Sequence, residues 1–285
     1  MRISLGTAQF GLNYGISNKS GIVNNKEIKK ILNYSKKNNI NFIDTASSYG
    51  KCHENLGKND INKFKIVTKL PKVPYFKDSY KIDHWIKNNF EKILKKLKVK
   101  KVYGLLLHQP SQILSDSGPA IYSSLLDLKK NKKINKIGIS VYSPSELKKI
   151  LKLYNFEIIN IPLSIANQEF IENNYLKKLK KKKIEIHVRS IFLQGLLLMK
   201  INEIPNKFKK NAFLNKWNNF IIKNNISSVE ACILFVKKFK EINKIIVGIE
   251  SLNQLRQIIR YYNKKKKISF IKQKNNSNFT NPNNW

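Results

Sequence analysis

Four side chains suited to proton transfer stand at or just behind the ends of short apolar runs, namely Asp44, Tyr49, Lys69 and His108. A phenol is a weak acid at its free pKa of about 10, and a nearby ammonium group makes it a stronger one. A charge about 4 Å away contributes about 4 kcal/mol at an effective dielectric constant near 20, or about 3 pKa units before desolvation. The four side chains therefore suggest a tyrosine that donates a proton and whose pKa is lowered by a lysine.

The remaining two members of the set have roles in the same reaction. Asp44 would hold Lys69 charged and oriented, so that Tyr49 donates a proton to a carbonyl oxygen. His108 would orient that carbonyl by a hydrogen bond and stabilise the developing negative charge. The set contains no activated nucleophile and no metal cage, so we expect no metal and predict hydride transfer from a bound cofactor.

Eight short, apolar and often β-branched runs could place these side chains at one edge of a sheet. They are typical of parallel strands that are covered on both faces. The runs are 3–6, 41–44, 65–69, 102–107, 136–140, 157–161, 184–189 and 244–247.

The segments between these runs have helical spacing, as in the stripe formed by Phe90, Ile93, Leu94 and Leu97. Eight alternating units without a dividing linker predict an α/β protein with a single-domain (β/α)8 TIM barrel. The alternative, a doubly wound open sheet, would usually carry a GxGxxG turn after its first strand. The turn at 6–11 reads Gly-Thr-Ala-Gln-Phe-Gly and does not fit that pattern.

Two segments fall outside the regular alternation. Residues 190–226 form a long connection after the seventh strand, which in a barrel lies at the active-site end and can bind ligands. We predict that the barrel occupies residues 1–263 and that residues 264–285 form a basic, asparagine-rich and irregular tail.

The strong positive charge could suggest a nucleic-acid partner. The chain has 285 residues, with 55 Lys+Arg against 18 Asp+Glu and a net charge of +37. However, 51 of the basic residues are lysine and only 4 are arginine, beside 37 asparagines and 6 alanines. Nucleic-acid surfaces favour arginine, whose planar fork reads guanine edges and phosphates. We attribute the charge to a general codon bias and expect no specific nucleic-acid partner.

The length of the apolar runs and the number of cysteines indicate the compartment in which the protein is expected. No stretch reaches the roughly 18 apolar residues of a transmembrane helix, and no membrane partner is expected. Cys52 and Cys232 are too few for a disulfide framework, which favours a reducing cytoplasm. The sequence leaves a monomer and a dimer both open.

The order and spacing of these motifs resemble the aldo-keto reductase family, and especially its short bacterial members. The similarity covers nearly the whole chain. The matching segments are residues 5–7 with Gly11, 41–50, 56–57, 66–69, 105–110, 136–140 and 246–248.

The resemblance implies carbonyl reduction with NADPH, or alternatively NADH, and without a metal. It implies Asp44, Tyr49, Lys69 and His108 as the catalytic residues. The cofactor-binding residues that it suggests are Thr7, Ser140, Asn160, Arg189, Ser190, Gly248, Ser251 and Gln254. The implied substrate is a small aldehyde, ketone or sugar, with a weak link to sugar or surface-polysaccharide metabolism.

Several positions depart from the family pattern. Val141 stands where an asparagine usually follows Ser140, and Arg189 stands where an aromatic ring often stacks on the nicotinamide. Glu250 replaces a basic residue and would repel a 2′-phosphate. Cys52 and His53 replace a serine and a glutamate behind Tyr49.

Two further functions remain as alternatives at this stage. One is a non-catalytic barrel that binds the cofactor and acts as a regulatory or partner subunit. The other is a nucleic-acid-associated protein that uses the lysine surface, which predicts strongly salt-dependent binding.

Overall fold

Eight parallel strands close into a barrel in the computed structural model, which describes residues 1–266, 268–274 and 276–285. Each strand pairs with the next along the chain, and the eighth pairs with the first. The strands are β1 (Ile3–Gly6), β2 (Phe42–Asp44), β3 (Lys65–Leu70), β4 (Val102–Leu107), β5 (Ile134–Ser140), β6 (Ile158–Pro162), β7 (Glu185–Arg189) and β8 (Lys244–Gly248).

Helices follow the strands and cover the outside of the barrel. The helices are α1 (Asn25–Lys37), α2 (Cys52–Gly57), α3 (Ser79–Leu97), α4 (Gly118–Lys130), α5 (Pro144–Leu153), α6 (Glu169–Glu172), α7 (Tyr175–Lys181), α8 (Asn206–Lys209), α9 (Ala212–Asn224), α10 (Ser228–Lys237), α11 (Leu252–Asn263) and α12 (Ser277–Thr280). None of them, within the described ranges, is long and apolar enough to cross a membrane.

The predicted single-domain (β/α)8 barrel is confirmed, and the closed sheet rules out the doubly wound alternative. Several strands extend beyond the apolar runs because their neighbours continue the ladder. Leu70 pairs with Leu107 and Gly248 pairs with Gly6, so β3 and β8 each run one residue further than predicted.

Serine side chains cap the starts of two helices. Ser143 accepts a hydrogen bond from the Glu146 amide at 3.2 Å, and Ser227 accepts one from the Glu230 amide at 3.2 Å. Such caps satisfy amides that have no partner within the helix, and they fix where α5 and α10 leave the preceding loops.

The long connection after β7 is ordered and contains several short helices. It includes 3-10 turns at Leu193–Leu198 and Ile201–Glu203, followed by α8 and α9. The buried Trp217 indole donates to the Leu197 carbonyl oxygen at 3.0 Å, which ties α9 to the first of these turns. The connection is therefore a folded cover rather than an open loop.

The predicted tail packs against the rest of the protein and is less irregular than expected. Residues Ser277–Thr280 form α12, because the Asn276 carbonyl accepts amide bonds from Phe279 and Thr280. The Trp285 ring lies 4.8 Å from the Phe208 ring. Lys267 and Asn275 of the predicted tail lie outside the described residues.

Candidate active site

A cavity of about 760 Å³ opens where the strands end. Its wall includes the last residues of five strands, which are Gly6, Asp44, Ser140, Arg189 and Gly248. In a parallel barrel the carboxyl ends of all strands meet on one face, and active sites form there. All four predicted catalytic side chains line this cavity, as the strand-end positions suggested.

Asp44 and Lys69 form a buried ion pair at the floor of the cavity. Lys69 Nζ lies 2.6 Å from Asp44 Oδ1 and also donates to the Thr45 carbonyl oxygen at 3.0 Å. The two residues are 1% and 5% exposed, so each charge depends on the other for compensation. Asn160 Nδ2 donates to the second carboxylate oxygen of Asp44 at 3.4 Å.

Tyr49 lies between Lys69 and His108. Lys69 Nζ is 5.4 Å from the centroid of the Tyr49 ring, and the His108 ring stands edge-on to Tyr49 at 6.0 Å. The loop that carries Tyr49 packs closely against the turn after β1. Glycine at position 11 of that turn permits this approach, because a Cβ there would lie 2.0 Å from the Tyr49 carbonyl oxygen.

The electrostatics of Tyr49 differ from the sequence-based expectation. Burial raises the pKa of the phenol well above its usual value, and the Asp44 carboxylate raises it further. Asp44 offsets the charge of Lys69, and the charge that lowers the Tyr49 pKa is the guanidinium of Arg189. In this structure Tyr49 therefore keeps its proton at neutral pH instead of becoming a stronger acid.

His108 is neutral and is held at one ring nitrogen. Burial lowers its pKa to about 3, with further lowering by Lys69 and Arg189. Its Nδ1 lies 3.0 Å from Ser48 Oγ. A neutral imidazole carries one proton on two nitrogens, so the partner at Nδ1 decides what Nε2 can do.

The cavity brings a carboxylate, a lysine, a tyrosine and a histidine together at the mouth of the barrel. A comparison of the sequence with protein-family models agrees with this arrangement. The model described as the aldo/keto reductase family matches residues 2–277. The chain belongs to the aldo/keto reductase family. This protein is accordingly an oxidoreductase of the class that reduces carbonyl compounds with a nicotinamide cofactor.

Solved structures of aldo/keto reductases share the fold of this chain. The aldo-keto reductase AKR11C1 from Bacillus halodurans is 16% identical, with a TM-score of 0.73, covering 94% of this chain and 88% of that one. The glycerol dehydrogenase AKR11B4 from Gluconobacter oxydans is 21% identical, with a TM-score of 0.68 and the same coverages. A search of curated proteins finds no matching sequence.

Most residues predicted to bind the cofactor of this aldo/keto reductase line the cavity, but two do not. Those on the wall are Thr7, Ser140, Arg189, Ser190, Gly248 and Gln254. Asn160 is fully buried beneath Asp44, and the Ser251 hydroxyl caps α11 by accepting from the Gln254 amide at 3.3 Å.

Two buried amide oxygens fit a ligand that carries N–H donors. Asn160 Oδ1 and Gln9 Oε1 have no hydrogen-bond partner among the described residues. Gln9 lies beside Gly248, where an added Cβ would come within 2.8 Å of Gln9 Nε2. Buried acceptors are normally satisfied, and a primary carboxamide such as that of nicotinamide supplies suitable donors. The residues present therefore fit this cofactor.

The start of α11, which includes the suggested cofactor residues Ser251 and Gln254, lies beside two carboxylates, those of Glu27 and Glu250. Glu27 Oε1 accepts the Leu252 amide at 2.7 Å, and this hydrogen bond lowers the pKa of Glu27. Glu250 lines the cavity, where burial raises its pKa, and Gln254 bonds its backbone amide at 2.7 Å. The helix N-terminus already has an anionic partner from α1.

Cys52 and His53, at the start of α2, are buried neutral groups that bond to threonine residues. Cys52 Sγ lies 3.1 Å from the Thr7 carbonyl oxygen and 3.3 Å from Thr45 Oγ1, and burial raises its pKa to about 11. His53 Nε2 lies 3.1 Å from Thr68 Oγ1, and burial lowers its pKa to about 4.

Sequence reasoning missed several residues of the site. Gln9, Tyr14 and Gln257 line the cavity, and Ser48 and Glu27 act through the contacts described above. Gln9 and Tyr14 could have been found from their position just after β1, at the active-site face. Glu27 could not, because its partner Leu252 is 225 residues away.

Proposed function

We propose that this protein reduces the carbonyl group of an aldehyde, ketone or sugar, with Tyr49 as the proton donor. The observation that carries the proposal is the buried Lys69–Asp44 pair beneath Tyr49, with His108 beside it in the same cavity. When bound, a reduced nicotinamide dinucleotide supplies the hydride. Tyr49 Oη donates its proton to the substrate oxygen as the carbonyl carbon accepts the hydride.

Tyr49 is protonated at neutral pH, as a proton donor must be, although its raised pKa makes it a weaker acid than an ordinary tyrosine. A phenol that keeps its proton at neutral pH is ready to act as an acid, and a newly formed alkoxide is a far stronger base than a phenolate. His108, as a neutral ring, donates a hydrogen bond to the carbonyl oxygen and orients it. The Lys69–Asp44 pair lies beneath the ring of Tyr49 and helps to position it.

We propose that Thr7, Ser140, Asn160, Ser190, Gly248, Ser251 and Gln254 hold the cofactor, together with one face of Arg189. The unpaired oxygens of Asn160 and Gln9 support this assignment, since both need N–H donors.

The sequence-based expectation placed NADPH ahead of NADH, and the surroundings of α11 lead us to propose NADH instead. Glu250 and Gln254 lie on the cavity wall there, and Glu27 occupies the Leu252 amide. Lys69 and Arg189 are the only lysine or arginine among the described lining residues, and both are near Tyr49. A carboxylate accepts hydrogen bonds from ribose hydroxyls and repels a 2′-phosphate.

The sugar link, the compartment and the domain boundary also remain proposals. A sugar or polyol substrate is supported by the many hydroxyl and amide groups of the cavity wall, and the Gluconobacter relative is named a glycerol dehydrogenase. Cys52 and Cys232 are free and buried, which supports a reducing, cytoplasmic location. We keep residues 1–263 as the barrel and 264–285 as a tail packed on it.

Cofactor titration tests the proposal directly. The quenching of protein fluorescence by NADH and NADPH gives two dissociation constants, and a panel of aldehydes, ketones and sugars is then followed by cofactor oxidation. We expect binding of a dinucleotide, and turnover that falls by orders of magnitude in Tyr49→Phe. Failure of both cofactors to bind would refute the proposal, and binding without any turnover would favour a regulatory, non-catalytic barrel.

A further inference from the structure

Arg189 is fixed in the cavity wall by neutral partners. Its guanidinium lies 4.4 Å from the centroid of the Tyr142 ring. Nη2 donates to the Val141 carbonyl oxygen at 3.2 Å, and Nη1 donates to Ser190 Oγ at 3.4 Å. A guanidinium has five N–H donors, so three remain for another partner. The side chain is therefore oriented and only partly satisfied.

The charge of Arg189 is not neutralised by a carboxylate among the described residues. The Asp44 carboxylate is used by Lys69. Glu146 also lines the cavity, but it accepts the Tyr142 amide at 2.8 Å. A guanidinium that is half-buried in a cavity wall and has no carboxylate partner favours an anionic occupant.

Arg189 and the proposed proton donor Tyr49 line the same cavity. Its charge opposes the effect of burial on the pKa of both Tyr49 and Tyr14. It also contributes to lowering the pKa of His108. An anion bound by Arg189 would thus lie in the cavity that also contains Tyr49 and His108.

We propose that Arg189 binds a carboxylate or phosphate group of the substrate, so that the protein acts on anionic carbonyl compounds such as uronic acids or sugar phosphates. The inference rests on the proposed function, because it places the anion on the molecule that is reduced. The N–H donors that Arg189 does not give to Ser190 and Val141 are suited to a charge-assisted contact with either anion. The diphosphate of the dinucleotide is the other source of such an anion, and the test separates the two.

The test compares pairs of substrates that differ by one anionic group. The pairs are glucuronate with glucose and glycolaldehyde phosphate with glycolaldehyde, each measured as kcat/KM at constant ionic strength. We expect the anionic member to be preferred about tenfold or more, which is the size of one charge-assisted contact. Arg189→Gln should abolish the preference, and Arg189→Lys should retain part of it, since the charge stays but the fork is lost.

A matched control removes the effect of bulk charge. Arg260→Gln deletes a guanidinium on the exposed face of α11 and should keep the wild-type preference. Equal kcat/KM within both pairs, or an unchanged preference in Arg189→Gln, overturns the proposal. If Arg189→Gln instead weakens NADH and NADPH binding while the preference stays, the guanidinium serves the cofactor diphosphate.

Calorimetry keeps the inference distinct from the proposed function. If no carbonyl compound is turned over, the proposed function fails, and the binding of glycolaldehyde phosphate to the wild type and to Arg189→Gln still tests the anion site. Binding lost in the variant supports the site, and equal binding contradicts it.

Discussion

Ser48 Oγ lies 3.0 Å from His108 Nδ1, which makes a serine of the β2–α2 loop the partner of the histidine that follows β4. Because burial, Lys69 and Arg189 lower the His108 pKa to about 3, the ring carries a single proton at neutral pH. A serine that donates to Nδ1 leaves that proton on Nε2, where it can be given in a hydrogen bond to the substrate oxygen.

Without the Ser48 hydroxyl, the single proton of the His108 ring should therefore no longer be confined to Nε2. We expect Ser48→Ala to lower kcat about fivefold, the cost of one hydrogen bond, and Ser48→Thr to restore it. The direct measurement is the ¹⁵N shift of the imidazole nitrogens, which distinguishes a protonated from a bare Nδ1. The chain has only 4 histidines, and the His53 signal should stay unchanged as an internal reference. A protonated Nδ1 in the wild type would contradict this role.

Breaking the Asp44–Lys69 pair should cost both stability and activity. Asp44→Asn leaves the buried ammonium of Lys69 without its counter-charge, and we expect a loss of about 3 kcal/mol in the free energy of unfolding. Adding Lys69→Met should recover most of that loss while activity stays absent. Denaturant unfolding and kcat measure the two effects, and equal stability of Asp44→Asn and the wild type would rule out a tight pair.

Acid should destabilise the fold through His53 and, in the same direction, through His108. The pKa of His53 is about 4 in the folded protein against an ordinary value of 6.5, because burial disfavours the charged ring. Its contribution to stability is complete above about pH 6.5 and is lost as pH falls toward 4, since the unfolded chain then binds the proton more strongly. The loss reaches about 3 kcal/mol at most.

Denaturant unfolding between pH 7 and pH 4 checks this window. His53→Gln should reduce the decline in the free energy of unfolding below about pH 6.5 and leave the part that is due to His108. The exposed His84, replaced by Gln, is the matched control and should leave the profile as it is. The same steep decline in His53→Gln would assign the acid sensitivity to other groups.

Glu250 should decide the cofactor. Glu250→Lys replaces a carboxylate on the cavity wall by a cation, and we expect the ratio of the NADPH and NADH dissociation constants to move about tenfold toward NADPH. Glu27→Gln should move the ratio in the same direction by a smaller amount, since it removes the charge at the Leu252 amide. Fluorescence titration measures both constants.

The matched control for this prediction is Glu172→Lys, which makes the same change of charge on the exposed surface of α6. It should leave the ratio unchanged. A wild type that binds NADPH more tightly than NADH would contradict the proposed preference.

The fold and the floor of the site followed from the sequence because they depend on local pattern. Apolar runs and capping serines fix the alternation of strands and helices, and a parallel barrel then brings Asp44, Lys69 and His108 to one face. The upper part of the site depends on contacts between distant segments. The Glu27–Leu252 bond and the packing of Trp285 on Phe208 have no periodic signature.

The direction in which the pKa of Tyr49 shifts is the clearest difference between the sequence-based expectation and the structure. The sequence showed a lysine that could lower it, but not the depth at which the phenol is buried or how fully Asp44 offsets the lysine. Desolvation and charge compensation depend on the folded surroundings of a group, which residue types alone do not specify.

The burial of Lys69 also separates it chemically from the other lysines of this very basic chain. Its ammonium, 1% exposed and bound to Asp44 and the Thr45 carbonyl, is closed to amine reagents that attack free, solvent-facing amines. Reductive methylation or acylation of the folded protein would thus alter the surface while leaving this amine intact. The many surface lysines can be modified covalently while Lys69, beneath Tyr49, stays unmodified.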